Sequence, residues 1–346
     1  MTSPVQLAET VRTARSALIV LPTALGDVVM ATCLPAALKQ VNPSLTISWV
    51  VDKALADVLA DCPVVDQVFS YTRKGQSSVF RALDLMRTSK AVRAQHPDFA
   101  LALRNRFAVM IALGLCGAPV RFAMKGQGLF GRFARTDLLS PQQNLTGVSR
   151  FLSMLEPFQL DINEASPILT PNREWLRRSE ELLASEGLAS DTPYAVAAVG
   201  SSRPSKDWSV ESHTEVIKWL ATELSLPTIL VGALKDEATA ASIQAAAKEQ
   251  VINLCGRTSL RLLTALSARA RVTYGPDTGP LYVAAATKTP VVILYGPFSG
   301  GRLPPQCLHE DIIGKDGLMT NISPIQVIEA LERVVTASSH PGNGTS

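Results

Sequence analysis

The sequence predicts an α/β chain of two doubly wound, Rossmann-like domains facing a central cleft. Three observations carry this expectation. Apolar runs of strand length alternate with helical patterns along almost all of the 346 residues, the mark of parallel sheets covered on both faces. Residues 161–171, D-I-N-E-A-S-P-I-L-T-P, hold neither period and contain two prolines, so they read as an interdomain linker. The length exceeds what one core comfortably supports, and the alternation resumes beyond the linker.

The first domain, residues 1–165, opens with an expected strand at 17–21, a loop at 22–27 and a helix at 28–40. A turn at Asn42-Pro43 leads to a strand at 46–51, completing a βαβ unit. Further strands are expected at 67–69, 99–103 and 120–122, with helices at 79–95 and 107–116 between them. Residues 126–144, rich in glycine, arginine and polar side chains, read as a mobile loop. The second domain, 166–322, alternates helices at 173–186, 210–224, 236–248 and 260–268 with strands at 194–199, 228–231, 251–254 and 271–274. It ends with residues 277–296, D-T-G-P-L-Y-V-A-A-A-T-K-T-P-V-V-I-L-Y-G: a polar turn, a short helix with Pro280 near its start, and a buried strand. A closing helix at 323–336 begins Ser323-Pro324, an N-cap followed by proline at the first helical position. The tail at 337–346 is expected to be disordered.

Composition excludes several classes. Apolar residues make up 47% and charged ones 18%, the values of an ordinary globular chain. The longest apolar stretch, 107–120, is shorter than the roughly 20 residues a membrane span needs, and it contains Gly114 and Gly117. Glu9 precedes Arg12 and Arg15 at a start without signal-peptide character, so residence in the cytoplasm is expected. The five cysteines lack C-x-x-C spacing and the four histidines form no H-E-x-x-H pattern, so neither a disulfide framework nor a metal site is expected. A dinucleotide cofactor is not expected without G-x-G-x-x-G after the first strand, nor is P-loop chemistry without G-x-x-x-x-G-K-[ST]. There is also no D-x-D pair for a nucleotide-bound divalent ion.

Charge is uneven. Residues 1–165 carry 17 Lys+Arg against 12 Asp+Glu, or +5, and the remainder 16 against 18, or −2. Residues 73–135 hold 12 basic side chains and only Asp84 and Asp98 as acids. An anionic partner or a membrane surface is the expectation for that excess.

Four loops after expected strands hold the residues suited to chemistry. In Leu25-Gly26-Asp27 a carboxylate stands where a helix begins, either as its cap or as a reacting group. Residues 200–208, G-S-S-R-P-S-K-D-W, offer hydroxyls, amides and an ammonium to an oxygen-rich anion, with Trp208 read as a packing residue. Asp236 and Glu237 follow another strand, placed equally well to cap a helix or to accept from ribose hydroxyls. Asp277 can bond sugar hydroxyls, while Thr278 and the amides of the following helix start face phosphate. Without a metal, a diphosphate would be neutralised by Lys206, hydroxyls and the helix dipole.

Together these loops resemble glycosyltransferase family 9, the heptosyltransferases that add heptose from ADP-heptose to the lipopolysaccharide inner core. The resemblance runs over nearly the whole chain, through L-G-D-V-V-M-A-T-C-L-P-A, P-S-K-D-W, L-C-G-R-T-S-L-R-L-L, D-T-G-P-L-Y-V-A-A-A, V-I-L-Y-G-P and I-S-P-I-Q-V-I-E-A-L. It implies a GT-B fold and metal-independent inverting transfer, with the donor in the C-terminal domain and no cofactor. It makes Asp27 the general base and Lys206 the stabiliser of the leaving diphosphate, joined in donor binding by Ser201, Ser202, Asp236, Thr258, Asp277, Thr278, Gly279 and Tyr282. The expected partners are a nucleotide-sugar donor and an anionic glycolipid acceptor, with peripheral contact at the inner membrane and no nucleic acid. Arg73, Lys74, Arg104, Arg106, Arg121 and Lys125 are the candidate acceptor contacts. Tyr282 departs from the resemblance, standing where the family has histidine in D-[ST]-G-x-x-H. A neutral, larger side chain with one hydroxyl implies a different contact there. A catalytically silent sugar-nucleotide-binding protein, a family 9 transferase with another donor or acceptor, and a GT-B-fold epimerase are the alternative readings.

Overall fold

The computed structural model describes residues 4–73, 75, 77–104, 107–124, 137–139, 145–296 and 300–339. Lys74, Arg106, Lys125 and most of the loop expected at 126–144 lie outside the described residues. The chain divides into two compact units, Met1–Ile168 and Leu169–Ser346.

The first unit is built on one parallel sheet of β1 (Ser16–Val20), β2 (Thr46–Asp52), β3 (Gln67–Tyr71), β4 (Phe99–Ala102), β5 (Val120–Met124) and β6 (Asp137–Leu139). Its order is β3-β2-β1-β4-β5-β6. Central strands read as unbroken apolar runs because helices cover both faces: Leu18, Ile19, Trp49, Val50, Ala100 and Leu101 are all buried. Acidic side chains fasten strand starts. Asp98 accepts from the Arg15 and Ser16 amides at 2.7 and 3.0 Å, and Asp66 from the Ile47 amide at 2.7 Å. Trp49, fully buried, donates through Nε1 to the Leu21 carbonyl at 3.2 Å and so anchors the exit of β1.

The second unit repeats the plan with β7 (Ala195–Ala198), β8 (Thr228–Val231), β9 (Val251–Asn253), β10 (Val272–Pro276), β11 (Val291–Tyr295) and β12 (His309–Ile313). All its neighbours are parallel too, in the order β12-β11-β10-β7-β8-β9. Counted from its own first strand, this is the order of the first sheet. In both, the winding direction reverses between the first and fourth strands, β1/β4 and β7/β10, and loops at the carboxyl end of such a reversal splay apart to leave a crevice. Among the described residues no helix is long and apolar enough to cross a membrane.

Several boundaries differ from expectation. The helix expected at 28–40 is two helices, Leu25–Met30 and Cys33–Val41. Pro35 cannot donate to the Ala31 carbonyl and its ring crowds that group, so the break falls at Ala31-Thr32. The first helix begins three residues early because the Val28 amide already bonds the Ala24 carbonyl at 2.9 Å. Within the expected loop at 126–144, residues 137–139 form edge strand β6, too short to show a period. The last helix, Pro324–Ser339, takes in the first three residues of the tail expected at 337–346, and residues 340–346 lie outside the described residues. Strand β12, H-E-D-I-I, has a neighbour on one side only, and its polar residues hide the strand pattern.

Several titratable side chains buried in the second unit lack a hydrogen-bond partner among the described residues, His213, Tyr274 and Tyr295 among them. His213 is fully buried between Trp208 and Tyr274, with both ring nitrogens unbonded among the described residues. Burial pushes its pKa from 6.5 down to about 3. An unfolded chain therefore takes up a proton below pH 6.5 that the native chain refuses until about pH 3. Stability is expected to fall with pH across that window, by at most about 1.4 kcal/mol per pH unit from this group. Urea unfolding from pH 7 to 4 checks it: His213→Phe is expected to flatten the profile, and an unchanged slope would exclude His213 as its source.

Candidate active site

In the first unit Asp27, Arg73 and Arg104 gather at the carboxyl edge of the sheet. Asp27 is the third residue of helix Leu25–Met30, just beyond β1, and its carboxylate reaches back to cap the helix start at Ala24. Its Oδ2 accepts from the Ala24 amide at 3.4 Å and pairs with the Arg104 guanidinium, which leaves the neighbouring strand β4. This ion pair spans the reversal between β1 and β4. Beside it, Asp52 ends β2 and accepts from Arg73 Nε, beyond β3, at 2.9 Å. A row of two carboxylates and two guanidiniums results, half-buried and so less screened than a surface pair. Arg121 does not join this row. It sits near the start of β5, at the opposite edge, and its Nε donates to the Ala118 carbonyl at 2.7 Å.

In the second unit the reversal between β7 and β10 is again spanned by an ion pair. Lys206 closes a short 3-10 turn, Pro204–Lys206, after β7. Its Nζ donates to Asp277 Oδ2 at 2.6 Å and to the Asp277 carbonyl at 3.2 Å. Asp277 follows β10, and its side chain is only 5% exposed. Its other oxygen, Oδ1, accepts from the Tyr282 hydroxyl at 2.5 Å. Burial first, then nearby Tyr295 and the Asp277 charge, raise the Tyr282 pKa well above its ordinary value, so the hydroxyl stays protonated and donates. Arg302 Nε stands 4.0 Å from Asp277 Oδ2 as a second cation.

Asp277 is thus engaged on both oxygens, and its observed contact is to Lys206 and Tyr282 rather than an open face. Beside this ion pair stands the start of helix Gly279–Ala286. Thr278 is the N-cap in extended conformation, with no capping bond from its side chain, Pro280 supplies no amide, and Gly279 opens the helix. Such a start carries partial positive charge from unpaired amides.

The other donor candidates are held inside the loops. Ser201 is 4% exposed, and its hydroxyl shares its one proton between the Arg203 carbonyl at 2.6 Å and Asp207 Oδ1 at 2.7 Å, so it shapes its own loop. Ser202 is exposed. Asp236 accepts from the Ala233 amide at 2.9 Å and from Lys235 at 2.8 Å, the capping arrangement among the two that the sequence left open. It packs over Gly200 so closely that a Cβ there would lie 2.0 Å from its Cγ, which is why residue 200 is glycine. Thr258 lies half-buried in the turn before helix Leu260–Arg269. Trp208 packs as expected, with Nε1 donating to the Ile322 carbonyl at 3.0 Å.

Asp52, Lys235 and Arg302 escaped sequence reasoning. Lys235 donates to the Ser201 carbonyl at 2.5 Å and ties the 200–206 loop to the end of β8. A charged residue at or shortly after the end of a strand was the available signal for Asp52 and Lys235; nothing near Arg302 offered one.

Two doubly wound units in succession are the architecture of the GT-B glycosyltransferases. Residues 85–318, more than half of the chain, match glycosyltransferase family 9 (heptosyltransferase). The protein belongs to that family and is a glycosyltransferase. Lipopolysaccharide heptosyltransferase 2 of Salmonella typhimurium is 25% identical over 299 residues, covering 83% of this chain and 84% of the relative. Among solved structures, a family 9 glycosyl transferase from Veillonella parvula superposes with a TM-score of 0.83 at 22% identity, covering 93% of this chain and 97% of the other. The E. coli ADP-heptose lps heptosyltransferase II superposes at 0.78 and 23% identity, covering 94% and 100%. At these identities the superpositions establish the fold alone.

Proposed function

We propose that this protein transfers a heptose-type sugar from ADP-heptose to an anionic, lipopolysaccharide core-type acceptor by a single inverting displacement without a metal. The observation that carries the reading is the pair of strand reversals: a carboxylate at one, and a lysine beside a helix start at the other. As the acceptor oxygen bonds to the anomeric carbon, the bond from that carbon to the diphosphate oxygen breaks and ADP leaves with the electron pair. The acceptor proton passes to Asp27, and Lys206 with the Gly279 helix start meets the charge developing on the diphosphate. A carboxylate need only accept the proton as the new bond forms, and fixed position supplies much of the rate. Arg73 and Arg104 would meet acceptor phosphates or carboxylates, with Lys74, Arg106 and Lys125 as further candidates. Arg121, at the far edge of the sheet, is left out of that set. Hydroxyls of the second unit, those of Ser202, Thr258 and Thr278 among them, would complete recognition of the nucleotide sugar.

Thermal-shift ranking of nucleotides tests the donor. A ligand at 100 times its Kd stabilises by about 2.7 kcal/mol, so ADP and ADP-heptose are expected to raise Tm by several degrees while UDP and GDP raise it little. A preference for UDP would sink the assignment. Stabilisation by ADP-heptose without release of ADP in the presence of any core acceptor would favour the silent binder instead.

A further inference from the structure

Helix Ser78–Arg93 is apolar on two faces, and the first unit covers only one of them. At 100° per residue, Leu85, Thr88, Ser89 and Val92 form one stripe, and all four are buried. On the opposite side Val79, Leu83 and Met86 recur at intervals of four and three, and they are 70%, 49% and 56% exposed. Phe80, 42% exposed, widens the ridge. Lys90 continues its row one turn further on and Arg87 flanks it, both exposed. The helix carries Arg81, Arg87, Lys90 and Arg93 against Asp84 alone, a net +3. Asp84 faces inward, accepting from the Thr72 amide at 2.7 Å.

This ridge adjoins the edge that holds Asp52 and Arg73. The Asp84 bond and a second from Arg81 Nη1 to the Arg73 carbonyl, 3.3 Å, fasten the first half of the helix to the exit of β3. The apolar end therefore lies beside the proposed acceptor contacts, and the basic end points away along the unit. Four large apolar side chains in water, bordered by cations, suit a surface that is apolar below and anionic above.

We propose that the exposed ridge of helix Ser78–Arg93 docks the enzyme on an anionic lipid bilayer, with Val79, Phe80, Leu83 and Met86 entering the headgroup boundary and Arg87 and Lys90 meeting lipid phosphates. The choice of a bilayer over a protein partner rests on the proposed glycolipid acceptor and on the charge of the helix. Docking there brings the Arg73 edge to the membrane, so an acceptor anchored by its acyl chains presents its sugars without leaving the lipid.

The full chain is sedimented with phosphatidylglycerol-rich and with phosphatidylcholine vesicles. Wild type is expected to pellet with the first and far less with the second. Removing two surface cations in R87Q/K90Q should lower partitioning more than ~10-fold, since each contributes about fivefold near an anionic surface. L83D/M86D should lose binding even to phosphatidylglycerol-rich vesicles, with Tm and turnover of a deacylated, water-soluble core acceptor unchanged. Equal partitioning of wild type and L83D/M86D, or no binding by wild type, would overturn the proposal. A wild-type dimer in sedimentation velocity that L83D/M86D turns into monomer would overturn it in favour of a second copy on the ridge. If vesicles bind as expected but no acceptor is glycosylated, the proposed reaction fails and the docking surface stands.

Discussion

Asp27→Asn is expected to lower kcat roughly 10²–10⁴-fold, the range a positioned general base contributes, while ADP continues to raise Tm as in wild type. The substitution keeps an oxygen for the Ala24 amide, so helix Leu25–Met30 should persist. It removes the proton acceptor and the negative partner of Arg104 together. The companion variant Arg104→Gln separates these effects: it leaves the base in place and should raise KM for an anionic acceptor more than it lowers kcat. Full turnover by Asp27→Asn, assayed by ADP release, would remove Asp27 from the mechanism.

Lys206→Ala is expected to act on both chemistry and stability. Losing one donor to an oxyanion that forms in the transition state typically costs about 10²–10³ in kcat. The same change strips Asp277, 5% exposed, of its 2.6 Å partner and leaves it to Tyr282 and Arg302. Removing one member of a buried pair destabilises by roughly 3–5 kcal/mol where nothing compensates, so a lowered Tm should accompany the lost activity. K206A/D277N tests the coupling, because the double variant no longer buries an uncompensated charge. Its Tm should return toward wild type while transfer stays low. A double variant as active as wild type would show that the ammonium has no part in the reaction.

Most of the fold was legible because buried parallel strands announce themselves: V-V-I-L-Y and A-L-I-V admit few other readings. What stayed hidden lacked a period. Strand β12 pairs on one side and carries His309, Glu310 and Asp311, and β6 has three residues. The division of one expected helix at Thr32 was in principle readable from Pro35, whose missing amide stops the ladder.

The candidate site was legible as residue types but not as partnerships. Asp27, Lys206 and Asp277 were singled out by position after strands, whereas no spacing could indicate that Asp27 faces Arg104 across 77 residues or Lys206 faces Asp277 across 71. Such pairs exist because the winding reversal sets the first and fourth strands side by side. Ser201 and Asp236 show the opposite limit. Their composition suited ligand binding, yet a hydroxyl and a carboxylate near a backbone satisfy that backbone first. Tyr282 becomes intelligible only in the folded chain, as a buried donor that fixes one oxygen of Asp277 while Lys206 holds the other.

The repeated strand order lets equivalent positions be compared between the units. After the first strand stands an anion in one, Asp27, and a cation in the other, Lys206; after the fourth stand Arg104 and Asp277, with the signs exchanged. One scaffold is therefore wired with opposite polarity in its two copies. Group transfer to a hydroxyl creates two charges at once, a proton to be taken and an anion to be received, and under the proposed mechanism this inverted polarity would supply one receptor for each.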